Sequence, residues 1–283
     1  MPRAIDHIVL CVNDLDSAIS AYSQLGFTVT PRAVHPFGTG NALVQLDGMY
    51  IELLSVVDPA KVAETDLAQP FSFPIYNRDY LRHREGMSML ALQSDDAEHD
   101  RDKFIEAGAA VPPVFHFERD AKTPDGDTVG VAFSLAYANH PLLRHAVTFV
   151  CQHRHPVQNF YFPAYQSHTN GAVAIGKVLL NHWAAEVVQE FYGEIGIDGI
   201  VDALHGDELV SRYGVEDPAF PTDGFAGFEL IVDDISKISE AAIAMGAVEH
   251  NGDLVLPPSR FFGVMMVIKA QQKSCLKMQA ALD

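Results

Sequence analysis

Tyr22-Ser23-Gln24-Leu25-Gly26-Phe27 closes the first helical segment of the chain, and Tyr192-Gly193-Glu194-Ile195-Gly196-Ile197 closes a later one, matching it in type at four of six places. The reading works outward from this repeat, because a period of strand, helix and glycine decides the architecture more firmly than any single motif. Upstream of the first copy, residues 5–12 are β-branched and apolar, and Asn13-Asp14 supplies an N-cap. Leu15, Ala18, Ile19, Tyr22 and Leu25 then recur at helical spacing, with Gly26 as the stop. Downstream, strand-like pieces cover residues 27–30, 41–46 and 49–56, the last two joined by the hairpin pair Asp47-Gly48. The unit is β-α-β-β-β.

The same order recurs. Residues 87–93 read as a strand, 95–107 as a helix stopped by Gly108, and 111–117, 128–138 and 146–152 as strands. A third unit opens with a strand over 172–180 and a helix over 183–195 stopped by Gly196, and is expected to be short of one strand. A fourth has a strand at 227–232, a helix at 234–245 stopped by Gly246, and a last strand at 262–269. The expected fold is therefore α+β, built from repeated βαβββ modules in two halves of two modules each, over residues 1–160 and 166–283. A doubly wound parallel sheet wants one helix after every strand, so three consecutive strands per helix argue against it.

Composition narrows the function classes. With 37 acidic against 19 basic side chains the formal charge is −18, which repels a phosphate backbone or an anionic lipid surface and excludes nucleic acid and membrane as expected partners. No apolar run approaches the roughly 18 residues of a membrane span. The three cysteines, Cys11, Cys151 and Cys275, are widely separated in apolar segments, as suits buried thiols in a reducing compartment. Residues 1–12 read directly into a strand, so no signal peptide is expected and a cytoplasmic location is the default.

Ile5-Asp6-His7-Ile8-Val9-Leu10, Asp14-Leu15-Asp16-Ser17-Ala18 and Leu25-Gly26-Phe27 resemble the first module of glyoxalases and extradiol dioxygenases. His35-Pro36-Phe37-Gly38-Thr39-Gly40-Asn41, followed by Tyr50-Ile51-Glu52-Leu53-Leu54, and the later His168-Thr169-Asn170-Gly171-Ala172 are similar to the glyoxalase-like family of the vicinal oxygen chelate superfamily in particular. That resemblance implies paired modules curled into a cup, with a divalent metal ion (Fe, Mn, Ni, Co or Zn) where first and last strands converge. Imidazole and carboxylate ligands suit such ions, and open positions let a small oxygenated substrate chelate. Carried over by position, His7 is the first-strand ligand and Glu52 the last-strand ligand, with Gln152 standing where the second module would complete the set. Glu52 is also the candidate to move a proton. His35, Thr39, Asn41 and Tyr50 are expected to contact substrate at the mouth of the cup.

The sequence departs from that pattern where Ser88, a poor ligand, takes the second module's first-strand place, and where, in the second half, Ile175 or Gly176 stands near the first ligand place and Met265-Met266 near the last. Each residue also has a bland reading. A strand histidine such as His7 can be hydrogen-bonded scaffolding. Glu52 can simply be solvated, Gly38 and Asn41 can serve a turn, and His168 can brace the linker. The leading expectation is a metal-dependent lyase or isomerase of glyoxalase type, in which the metal stabilises an enediolate oxygen. An extradiol-type dioxygenase and a metal-free protein that binds or sequesters a small molecule stay open. A homodimer is allowed but not required, since four modules in one chain can form two cups.

Overall fold

The computed structural model describes residues 3–65 and 71–271. β1 (Ile5–Cys11), α1 (Leu15–Gln24), β2 (Ala33–Val34), β3 (Thr39–Gln45) and β4 (Tyr50–Val56) form the first module, and α2 (Pro59–Glu64) and α3 (Phe73–Leu81) follow it. The second module is β5 (Gly86–Gln93), α4 (Ala97–Glu106), β6 (Phe115–Lys122), β7 (Thr128–Ala138) and β8 (Val147–His153). A connection containing α5 (Pro163–Gln166) leads to β9 (Ala172–His182), α6 (Ala185–Glu194), β10 (Val201–Leu204) and α7 (Gly206–Tyr213). The last module is β11 (Asp223–Val232), α8 (Ser236–Ala244), β12 (Val248–His250), β13 (Asp253–Leu256) and β14 (Met265–Ala270).

The strands make two sheets, one of eight strands in the order β2-β3-β4-β1-β5-β8-β7-β6 and one of six in the order β10-β9-β11-β14-β13-β12. In each module the first strand pairs in parallel with the last, and the two modules of a sheet meet through antiparallel first strands, β1 with β5 and β9 with β11. These are repeated βαβββ modules. The helices start and stop on the expected signals. The Asp14 carboxylate accepts the N–H groups of Asp16 and Ser17 at the head of α1. Gly26, Gly108, Gly196 and Gly246 follow α1, α4, α6 and α8 with φ of 86°, 78°, 76° and 100°, a region that costs a side chain dearly.

Two expectations need correction. The third module lacks two strands, not one. Residues 195–200 carry α6 straight into β10, which takes the last-strand place beside β9. Residues 27–30 are not a strand, because their polar groups are taken up elsewhere: the Thr28 N–H donates to His168 Nδ1 and its hydroxyl to the Ser167 carbonyl, while Thr30 bonds Leu43 through backbone and side chain. The edge strand begins only at Ala33.

One face of the large sheet and one face of the small sheet share a single apolar core. Ile8 and Leu10 of β1, Tyr22 of α1 and Phe104 of α4 belong to the same cluster as Tyr192 of α6, Phe228 and Leu230 of β11, and Phe261. The Tyr22 and Phe261 rings meet at 4.9 Å across the two halves. The other face of the small sheet is closed by its own chain: Leu209 and Tyr213 of α7 pack on Leu179, Val255, Met265 and Val267. Its charges pair internally, Lys177 and Arg212 with Asp202 and Lys269 with Glu229. Cys11 and Cys151 are buried free thiols, and Cys275 lies outside the described residues.

Because Phe261 is 1% exposed and couples the halves, Phe261→Ala should cost about 3–5 kcal/mol. Urea unfolding should show that loss in one transition affecting both halves, measured by circular dichroism and by the fluorescence of the sole tryptophan, Trp183, in the second half.

Candidate functional site

The parallel pairing of β1 with β4 sets His7 beside Tyr50 and Val9 beside Glu52. Laterally paired residues of a parallel ladder point the same way, so His7 and Glu52, two positions apart, share a face. His7 Nε2 lies 4.0 Å from Glu52 Oε2. A bulge between Ile5 and His7 interrupts the β1–β5 register at Asp6 and turns that carboxylate inward with its neighbour. Asp6 Oδ1 meets His7 Nδ1 at 2.6 Å and Oδ2 meets His153 Nε2 at 3.2 Å. Burial works to raise the Asp6 pKa, but the hydrogen bonds from His153 and His7 prevail and bring it down to about 2. An ionised Asp6 can only accept, so His7 donates from Nδ1 and turns Nε2 toward the cavity.

His35 arrives from the other side of the carboxylate. Its loop is shaped by Gly38, whose φ is 95° and whose place leaves no room for a Cβ, which would stand 2.5 Å from the Asp58 carbonyl. The His35 N–H donates to the Thr39 carbonyl, and His35 Nδ1 meets the Thr39 hydroxyl at 2.7 Å. Asn41 Nδ2 lies 2.6 Å from Glu52 Oε1 and 3.3 Å from His35 Nε2. Because a carboxylate only accepts, the atom beside it is the amide nitrogen, and its second N–H is directed at a lone pair on His35 Nε2. Burial lowers the His35 pKa to about 4, against the pull of Glu52, so the imidazole is neutral at neutral pH. His35 Nε2 is 3.9 Å from Glu52 Oε1. Two imidazoles thus flank one carboxylate, each held at Nδ1, with His7 Nε2 turned to the cavity and His35 Nε2 accepting from Asn41.

These groups line a cavity of about 520 Å³, part of it open to solvent. Seven phenylalanines (37, 73, 115, 117, 133, 149 and 160) make most of its wall, with Leu43, Leu135 and Cys151. The His7 ring stacks on Tyr50 at 4.3 Å and meets Phe149 edge-on. A wall of this kind suits the apolar body of a small molecule and strengthens every polar interaction within it. Arg119 is the one lysine or arginine in the lining.

Of the residues expected from sequence, His7, His35, Asn41, Tyr50 and Glu52 come together around this cavity. Thr39 does not line it, since its hydroxyl sits behind His35 and orients that ring. Gln152 is on the opposite face of β8 from Phe149 and Cys151, because side chains alternate along a strand. Its amide is spent at the head of α4, donating to the Asp95 carbonyl at 2.6 Å and accepting from the Ala97 N–H at 3.3 Å. The second module therefore brings no Gln152 to the site. Nor does it bring Ser88, whose hydroxyl donates to Asn77 of α3 at 2.7 Å. His168 braces the linker by accepting from Thr28 and contacting the Gln45 carbonyl at 2.8 Å. His145 faces Asp223 of the second half. Asp6 and Arg119 went unremarked in the sequence. Asp6 could have been noticed as a charge within an apolar strand, like Glu52, and Arg119 as a cation continuing the row of Phe115 and Phe117.

Two of the donors, His7 Nε2 and Glu52 Oε2, fit a divalent cation, whereas His35 flanks Glu52 from the other side and does not come within 4.8 Å of both together. An imidazole nitrogen and a carboxylate oxygen are familiar donors for first-row metals, and an imidazole held at its second nitrogen by a carboxylate is what such sites use. Bonds of about 2.0–2.2 Å put two ligand atoms on one ion roughly 3–4 Å apart. The His7–Glu52 separation of 4.0 Å lies at the open end of that range. The tighter group of Asp6, His7 and Cys151 is held by the Asp6–His7 hydrogen bond and places no second imidazole beside Glu52.

A sequence profile of the glyoxalase-like domain matches residues 5–196. No curated protein matches the sequence. The structure is similar to a hypothetical protein from Staphylococcus aureus, with a TM-score of 0.60 and 13% identity over 95% of this chain and 100% of that one. It is also similar to a mutant 4-hydroxymandelate synthase from Streptomyces coelicolor, with a TM-score of 0.54 and 12% identity over 95% and 93%. A methylmalonyl-CoA epimerase from Streptomyces coelicolor matches with a TM-score of 0.36 and 18% identity over 55% of this chain and all of that one. At 13% and 12% identity the first two likenesses are of fold alone. Among the described residues, no helix is long and apolar enough to cross a membrane.

The neutral state of His35 gives stability a defined pH window in chelator-treated protein. A free imidazole titrates near 6.5, so as pH falls the unfolded chain takes the proton first. The contribution is complete above about pH 6.5 and is lost as pH drops to about 4, a change of about 3 kcal/mol. His35→Gln should flatten stability across that window in urea titrations. The stabilisation from Asp6, which is present above the usual carboxylate pKa of 3.8 and is lost as pH falls through about 2, should persist in that variant.

Proposed function

Because the chain belongs to the glyoxalase-like domain family of the vicinal oxygen chelate superfamily, we propose that it is a metal-dependent lyase or isomerase of glyoxalase type acting on a small oxygenated molecule. The observation that carries this reading is His7, fixed at Nδ1 by Asp6, turning Nε2 toward Oε2 of the buried Glu52 carboxylate at 4.0 Å, with His35 flanking that carboxylate from the other side. His7 and Glu52 would hold the ion. A divalent cation bound there supplies Lewis acidity, which makes a proton next to a chelated carbonyl easier to remove.

The chain's own residues do the rest. Asn41 grips Glu52 Oε1 and leaves Oε2 as the oxygen that can take a proton from a substrate carbon and return it. Asp6 keeps the His7 tautomer fixed and shares its charge with His153, which reaches toward the surface. The phenylalanine wall excludes water from the reacting atoms and holds the apolar part of the substrate. Among the described residues the first cup offers this chemistry, whereas α7 and internal ion pairs fill the corresponding face of the second sheet.

Elemental analysis of protein purified without added metal should find about one divalent ion per chain. His7→Ala and Glu52→Gln should each reduce that content at least tenfold, with thermal unfolding of the chelator-treated variants still cooperative. A wild-type protein that carries no ion and takes up none on titration would make the metal-free binding protein the correct reading.

A further inference from the structure

We propose that Arg119 is the residue that selects the substrate, by binding the carboxylate of an organic acid whose apolar body lies among the phenylalanines; this deepens the proposed function and rests on the same cavity. Arg119 lies on β6 as the inward continuation of Phe115 and Phe117, while Glu118 and Asp120 between and beyond them are exposed. A guanidinium offers five N–H donors. Among the described residues, Arg119 makes one side-chain hydrogen bond, from Nη1 to the Asp120 carbonyl at 3.3 Å, and its buried Nε has no partner. Nor does it form an ion pair there, although it shares the cavity with Glu52. A cation held in an aromatic wall with an unused donor edge is costly to keep unless something pairs with it.

Its place says what that partner is. Arg119 lines both the aromatic cavity and an adjoining groove that also contains Arg32 and Lys122. Those two cations are engaged, Arg32 with both oxygens of Asp16 at 2.9 Å and Lys122 with the Thr128 hydroxyl at 2.6 Å. One uncommitted planar guanidinium fits one carboxylate, which it can meet with two parallel N–H donors. A phosphate dianion would ask for a second free cation. The ligand then spans the cavity, its carboxylate at Arg119 and its oxygenated end at His7 and Glu52.

The probes are 3-phenylpropanoate, its uncharged amide and 2-phenylethyl phosphate, with binding measured by isothermal titration on the full chain as purified. The acid should bind at least tenfold more tightly than the amide, and more tightly than the phosphate ester. Arg119→Gln should abolish the preference for the acid while leaving amide binding unchanged, which also certifies that the cavity is intact. Arg119→Lys should keep part of the preference, and so should Glu52→Gln and His7→Ala, which lose the ion but retain the guanidinium. Equal binding of acid and amide by the wild type, or a preference that survives Arg119→Gln, overturns the proposal. A preference lost in His7→Ala and kept in Arg119→Gln would place the anion at the imidazoles, sinking the role of Arg119 and leaving the proposed function standing. Tighter binding of the phosphate ester would overturn the carboxylate.

Discussion

The parallel pairing of β1 with β4 is the constraint on which the rest depends. It joins two strands separated by a helix and two other strands, and its register is set by side chains on both faces. Ile8 and Leu10 must enter the core shared with the second half while Val9 and Cys11 join the apolar cluster on the cavity side of the sheet. A slip of one residue would expose one set and bury the other wrongly, so the apolar pattern fixes the register and hence the approach of His7 to Glu52. Chemistry is positioned here by packing on the reverse side of the sheet. The bulge at Asp6 is a local break in that alternation, and it gives His7 an anionic partner from the adjacent residue.

The second half shows what the same module becomes without a cavity to keep. Its first strands also meet antiparallel, and Glu229 stands on the face that corresponds to the cup. That carboxylate is taken by Lys269 at 2.6 Å and by the backbone N–H of Lys177 at 3.3 Å. Loss of the two outer strands of the third module leaves room for α7, whose Leu209 and Tyr213 finish the apolar surface. Pairing acids with bases across a small sheet and covering it with one helix removes the unsatisfied groups that a binding site requires. The division of labour is therefore physical: one sheet holds polar atoms in reserve, and the other has none to spare.

Much of this was legible in the sequence because it depends on local signals. The stops at Gly26, Gly108, Gly196 and Gly246 and the cap at Asp14 act within a few residues, and the modules follow from them. His7, His35, Asn41 and Glu52 were legible through a resemblance that fixes strand position. Gln152 was misplaced because a strand's facing changes with every residue, and nothing local says that Cys151, one position earlier, is the one to look inward. Thr39 was assigned to the wrong layer for a similar reason. Residues 27–30 look like a strand in isolation, but their hydrogen-bonding groups are claimed by Ser167 and His168, some 140 residues away. Arg119 is the clearest case, since alternation along β6 puts it inward only once that edge is known to curl over the first module.

The charge of the whole chain and the charge of the site also work on different scales. A net charge of −18 repels anions at a distance, yet this field is screened within about 10 Å at ordinary ionic strength. In the cavity lining, one carboxylate, Glu52, accompanies one guanidinium, Arg119, while Asp6 is buried behind His7. A divalent cation held at His7 and Glu52 would add positive charge to that of Arg119, which a monoanionic ligand would offset. Each addition makes the next more favourable, because the apolar wall gives local charges more weight than they have in water. Cation and organic anion would therefore bind with mutual reinforcement, and a neutral analogue of the same shape would gain nothing from the ion beyond chelation.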